Sequence, residues 1–230
     1  MKKDDYPEKI LDKIETKPEY SVLDIGCGEG VLTIPLAKKV SSVTCVDLSK
    51  EMLKILKKKA KDEGLDNLTY IQGNLEDINL DSDGKKYDVI IASRSLNGIK
   101  NIKGLLKKLN KIGEHVYITL WGSGGRKYEE MARDVLNRDH SKYPSYMYVC
   151  NMLYQMGITA NVEKLDCQTI NTYDSIEEAM DRYKWKIGNL NQEEDVLRNH
   201  LEETLIQNED GSFKNPYEKP DWILIWWKND

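Results

Sequence analysis

The chain has 230 residues and a formal net charge of −5, with 40% hydrophobic and 32% charged side chains. That length buries one good core, or one core with an inserted subdomain. The acidic balance disfavours nonspecific nucleic-acid binding, which needs a positive surface, and no run approaches the roughly 18 apolar residues of a membrane span. The first ten residues, MKKDDYPEKI, lack the apolar core of a secretion signal, so a cytoplasmic protein is expected. Cys27, Cys45, Cys150 and Cys167 lie far apart with no C-x-x-C spacing. That points away from a zinc site and from a disulfide framework, and no metal is expected.

Taken in chain order, Pro7 suits a first helical turn, and Ile10, Leu11 and Ile14 follow at helical spacing over residues 6 to 16. Val22 to Ile25 reads as a buried strand that ends in Gly26-Cys27-Gly28-Glu29-Gly30. A helix follows with Leu32, Leu36, Ala37 and Val40 on one face, then a second strand, Val43 to Val46, ending in Asp47. Strand, glycine turn, helix, strand and acid make the first half of a nucleotide-binding βαβ unit. Glycines let backbone pass close to a cofactor, and an acid at the second strand's tip can accept from ribose hydroxyls. The spacing is G-x-G-x-G rather than the dinucleotide G-x-G-x-x-G, since position 31 is Val.

Residues 50 to 63 form an amphipathic helix with Ser49 as N-cap and Gly64 as its stop. Its lysines at 54, 57, 58, 59 and 61 read as a solvated face. Leu68 to Ile71 is a third strand, followed by Gly73-Asn74-Leu75. Tyr87 to Ala92 is a fourth, whose continuous apolar run suits a parallel sheet covered on both faces. Ser93-Arg94-Ser95-Leu96-Asn97 leaves its C-terminal end, where open α/β sheets bind ligands. Arg94 reads equally as a partner for an acidic substrate and as a structural ion-pair residue. A helix over 101 to 111 and a fifth strand from His115 to Trp121 follow. His115 begins that strand, away from the binding edge, and is rejected as a base. Gly122-Ser123-Gly124-Gly125 reads as a connector, with a hinge or phosphate nest as the functional alternative.

Helices are predicted over 126 to 138, 145 to 156, 175 to 187 and 192 to 206, a strand over 161 to 169, a loop over 208 to 220 and a last strand over 222 to 227. Ser175 with Glu178 is a capping box. Tyr143, Tyr146, Tyr148, Tyr154, Tyr183 and Trp185 concentrate in this half. Such aromatics can enclose an acceptor, although for any single one core packing is the better reading.

LDIGCGEG, with Asp47 downstream, resembles the first motif of the class I S-adenosylmethionine-dependent methyltransferases, and the resemblance covers residues 20 to 122. It implies an α/β fold, with a doubly wound, mostly parallel seven-stranded sheet, an antiparallel last strand and a helical cap. It divides one domain, 1–230, into a cofactor-binding half (1–122) and substrate-side helices (123–220) with a cap insertion at 175–206. S-adenosylmethionine is the implied cofactor, lined by Asp24, Gly26, Cys27, Gly28, Asp47, Leu48, Asn74, Leu75 and Ser93. Asn74 stands where the family more often has Asp, opposite the adenine amine. Tyr6, Arg94 and Asn97 are the acceptor-side candidates, and a small-molecule acceptor is expected, with protein and RNA as the other acceptor classes. An NAD(P)-dependent oxidoreductase and a non-catalytic binding protein with the cofactor fold are the alternatives.

Overall fold

The computed structural model describes every residue except 1–3, 79, 81–83, 85, 97, 125, 141–144, 169, 191, 220 and 230. The glycine turn leaves β1 (Ser21–Ile25), an interior strand where Val22, Leu23 and Ile25 are at most 1% exposed. The seven-stranded sheet has the order β3-β2-β1-β4-β5-β10-β6. Here β2 is Ser42–Asp47, β3 Leu68–Gln72, β4 Tyr87–Ser93, β5 Gly113–Trp121, β6 Asn161–Lys164 and β10 Trp222–Lys228. The strands β1 to β5 pair in parallel, and β10 runs antiparallel to β6. The chain runs outward from β1 through β2 to β3, then returns to β4 on the other side of β1. That reversal opens a crevice outside the C-terminal ends of β1 and β4.

The flanking helices α2 (Thr33–Ala37), α3 (Lys50–Asp62), α4 (Ile102–Ile112) and α6 (Tyr146–Gln155) form where apolar residues recur at three- and four-residue spacing. Leu53, Leu56 and Ala60 are the buried face of α3, and its lysines are exposed. Ser49 caps it by accepting from the Met52 N–H at 3.3 Å. Asn101 does the same for α4, accepting from Gly104 at 2.9 Å. The first helix, α1 (Tyr6–Leu11), stops five residues short of the predicted 16. Beyond it the Glu15 N–H turns to the Tyr117 hydroxyl at 3.2 Å.

The chain forms two compact units. One is Pro7–Leu120, Pro144–Leu165 and Ile223–Asp230; the other is Met1–Tyr6, Trp121–Tyr143 and Asp166–Trp222. The long first segment of the sheet unit ends at Leu120, close to the expected division at 122. Helix α6 belongs to the sheet unit, because Val149 and Leu153 are buried in its core.

The second unit holds α5 (Lys127–Val135), α7 (Ile176–Ile187) and α8 (Glu194–Thr204). It also holds a three-stranded sheet, β7-β9-β8, made of Thr172–Tyr173, Phe213–Lys214 and Ile206–Gln207. Its core gathers Tyr128, Tyr173, Met180, Tyr183, Leu197 and Leu201. Residues 208 to 220, expected as a loop, contain β9, since a two-residue strand has no periodicity to detect. Of the aromatics expected around an acceptor, Tyr183 is fully buried in this core, while Tyr154 and Trp185 are 81% and 86% exposed. Tyr143 lies outside the described residues. No helix among the described residues is long and apolar enough to cross a membrane.

Candidate functional site

The turn after β1 is held by its own backbone. The Gly26 and Cys27 N–H groups both donate to the Val46 carbonyl, at 2.7 and 3.1 Å, and Gly30 donates to the Cys27 carbonyl at 3.0 Å. Gly28 donates to Asp47 Oδ2 at 2.8 Å, and the other Asp47 oxygen accepts from Ser49 at 2.8 Å. Asp47 thus staples the turn to the start of α3. Each of its oxygens keeps a further lone pair for a ligand.

The three glycines of this turn, at φ 67°, 54° and 89°, serve different ends. A Cβ on Gly26 would lie 2.2 Å from Ser95 Cβ, and one on Gly30 would lie 2.2 Å from Leu56 Cδ1. These two glycines let neighbouring elements approach. A Cβ on Gly28 would meet nothing within 4 Å. Open space beside a bare backbone, next to Asp47, is the cradle that a nucleoside cofactor requires.

Asp24 sits beneath the turn, 2% exposed, and accepts from Thr33 Oγ1 at 2.6 Å. Burial pushes its carboxyl up to about 6; the Thr33 hydrogen bond opposes the shift and the nearby Asp47 charge adds to it. The Cys27 thiol is pushed far above the ordinary range by its hydrogen bond with Cys45 and by burial. It is therefore no nucleophile.

Asn74 follows β3, and its Oδ1 accepts from Glu76 N–H at 3.1 Å in a local turn. Glu76 in turn accepts from Lys100 N–H at 3.4 Å and from Asn101 N–H at 2.9 Å, fixing the chain that enters α4. At the tip of β4, Arg94 donates its N–H to Thr119 Oγ1 at 3.0 Å. The Ser95 hydroxyl is buried with no hydrogen-bond partner among the described residues.

These segments enclose a cleft of about 570 Å³. Of the expected site residues, Gly26, Asp47, Leu48, Asn74, Leu75 and Arg94 line it. Asp24, in β1, and Cys27 and Gly28, in the turn, are not among the lining residues, Ser93 is the last residue of β4, and Asn97 lies outside the described residues. Tyr6 is not among the lining residues; it is 3% exposed with its ring 5.4 Å from that of Trp222. Trp222 stacks in turn on Trp121, centroids 3.6 Å apart. Ser95, in the loop expected at the binding edge, also lines the cleft, as do Glu76, Ile99 and Lys100, which the sequence did not single out. Their signal was their place in the loops after β3 and β4, at the ligand-binding ends of those strands.

The turn at 122–124 is no phosphate nest. Gly122 donates to the Asp221 carbonyl at 2.7 Å and Gly124 to its carboxylate at 2.8 Å. A larger groove, about 920 Å³, is lined by Lys86, Asp88, Glu114 and Lys228 at the opposite end of the strands. Parallel sheets of this kind place ligands at the C-terminal ends, which favours the smaller cleft. Among the described residues no cluster of three His, Cys, Asp or Glu is arranged to hold a metal.

The fold and the turn define an α/β protein with a nucleoside-cofactor site. Residues 22–113 match the model of a methyltransferase domain family. An uncharacterized protein of Haemophilus influenzae is 30% identical over 98% of this chain and 82% of its own. The ubiquinone biosynthesis O-methyltransferase of Vibrio parahaemolyticus is 28% identical over 65% of this chain and 68% of its own. The crystal structure of the YcgJ protein from Bacillus subtilis shares the fold, with a TM-score of 0.66 at 17% identity over 97% of this chain and 98% of that one. The chain belongs to the class I S-adenosylmethionine-dependent methyltransferases. It is an enzyme of methyl transfer with S-adenosylmethionine as cofactor, which displaces the oxidoreductase and non-catalytic readings.

Proposed function

We propose that the methyl acceptor is a small molecule and that the cofactor lies in the cleft at the C-terminal ends of β1 to β4. The observation that carries the site is the open face of Gly28 beside Asp47. Asp47 accepts from the ribose hydroxyls, with the lone pairs its backbone bonds leave over. Leu48 and Leu75 offer apolar contact to the adenine, and Asn74 offers its amide. Asp24, Cys27 and Ser93 shape the turn and strand tip rather than reach the ligand directly. Bound S-adenosylmethionine supplies an activated methyl group on a sulfonium. The protein's part is to hold the acceptor in line with it and exclude water.

A relative named for ubiquinone biosynthesis supports a small-molecule acceptor. We assign acceptor selection to residues 175–206, which carry two helices, α7 and α8, where the family's fold needs only a hairpin turn. Buried, unoxidised thiols at Cys27 and Cys45 support a cytoplasmic enzyme. The test of the site is Asp47→Ala. Titration calorimetry with S-adenosylmethionine should show binding weaker by about 1.5–3 kcal/mol, the scale of a charge-assisted hydrogen bond. Equal affinities in mutant and parent would remove Asp47 from the site.

A further inference from the structure

The loop after β4 adopts a conformation that an arginine rarely takes. Among the described residues, the non-glycine positions in the left-handed region are Arg94, at φ 57°, and Asn137, at φ 50°. Asparagine visits that region routinely; arginine does not. Strain of this kind persists where the surroundings over-determine it, and it gathers at functional sites. Here Thr119, 1% exposed on β5, accepts the Arg94 N–H, and the next residue, Ser95, packs against Gly26. The result places Arg94 in the cleft wall.

A second observation concerns bases. The titratable side chains lining the cleft, among the described residues, are Asp47, Glu76, Arg94 and Lys100. Both oxygens of Asp47 accept backbone N–H groups, and so do both of Glu76. In the reading above Asp47 is taken up by the cofactor's ribose, and both Glu76 oxygens hold the chain that enters α4, so neither carboxylate is assigned as a base. The acceptor atom that suits this cleft is therefore already deprotonated. A carboxylic acid, with a pKa of about 4, is ionised at neutral pH and needs no base. It is also the anion that a guanidinium grips with two parallel hydrogen bonds.

Resting on the methyl-transfer reading above, we propose that the acceptor is a carboxylic acid held by Arg94 and that the product is its methyl ester. A lone pair of the carboxylate oxygen forms the new O–C bond. The methyl–sulfur bond breaks with its electron pair going to sulfur, and no proton moves. The ester is neutral at that position, so it loses the charge that Arg94 held, which favours release.

The test uses the full-length protein, S-adenosylmethionine tritiated in the methyl group, and a protein-free small-molecule cell extract. Mild alkali hydrolyses methyl esters to volatile methanol and leaves methyl ethers, methylamines and C-methyl groups intact. Alkali should release most of the transferred label. Arg94→Gln should transfer roughly ten- to a hundredfold less, with unchanged calorimetric affinity for S-adenosylhomocysteine. Arg94→Gly, which relieves the left-handed strain, should lose transfer equally. Alkali-stable label would overturn the carboxylate assignment and leave methyl transfer standing; no transfer at all would overturn both. If Arg94→Gln weakens S-adenosylhomocysteine but not 5′-methylthioadenosine, which lacks the amino-acid arm, Arg94 serves the cofactor's own carboxylate and the acceptor role falls.

Discussion

Asp24 is a carboxyl group kept out of water under the glycine turn, and it makes stability depend on pH. Its folded pKa of about 6 lies above the ordinary 3.8, so between those values the folded state holds more protons than the unfolded one. Stability therefore falls as pH rises through that window and stays lower above it. Asp24→Asn keeps an acceptor for Thr33 Oγ1 and removes the buried charge. Urea unfolding should find it more stable than the parent at pH 7 by up to about 3 kcal/mol, with little difference near pH 4. A parent whose stability does not change across that window would contradict the buried-charge account. The same substitution should weaken S-adenosylmethionine binding, a trade of stability against function. The glycines of the turn separate the same two quantities. Gly30→Ala meets Leu56 and should lower the melting temperature. Gly28→Val meets no neighbouring atom but is strained at φ 54°, so it should cost some stability and, beyond that, abolish cofactor binding. A folded Gly28→Val protein with parental affinity would make the turn purely structural.

At the scale of elements, the caps were legible because they are local. Ser49 and Ser175 both cap the helices they precede, as the sequence reading expected. Ser175 accepts from Glu178 N–H at 3.1 Å, while the Glu178 carboxylate reaches back to the Asp174 N–H at 2.6 Å. Ser175→Ala should cost about 1 kcal/mol in chemical denaturation; no measurable loss would mean that solvent serves the helix start as well. The glycine turn and Asp47 were legible for the same reason, as one contiguous strand-turn-helix-strand pattern. The rest of the cleft was not. Arg94 is held by Thr119, 25 residues further on, and Glu76 acts on an amide a similar distance away. Such partnerships exist only once the strands have paired. The small sheet β7-β9-β8 was invisible because its two-residue strands are defined by their partners.

For the molecule as a whole, the fold class was readable from the alternation of strands and helices, and the partition into units was not. The chain passes from one unit to the other near residues 6, 120, 143, 165 and 222, with no linker composition to mark the crossings. Residues 175–206 supply Met180, Tyr183, Leu197 and Leu201 to the second unit's core. Deleting them would therefore remove more than an acceptor site. Hydrogen exchange asks the question more gently. S-adenosylmethionine should slow exchange at 24–30, 47–49 and 73–76 and leave 175–206 unchanged. Strong protection of 175–206 by cofactor alone would sink the division of labour between cofactor and acceptor.

The stack of Trp121 on Trp222 also has an optical consequence. With centroids 3.6 Å apart and ring planes 27° from parallel, the two indoles cannot absorb independently. Their transitions couple and split into a pair of circular-dichroism bands of opposite sign, whose size depends steeply on the separation of the rings. Trp185, 86% exposed, adds a single band, and Trp226, whose ring lies 6.2 Å from that of Tyr117, couples over a longer distance and more weakly. The couplet belongs to Trp121 and Trp222, so titrating cofactor and then candidate acids against it reads which ligand moves these two rings, with no label attached.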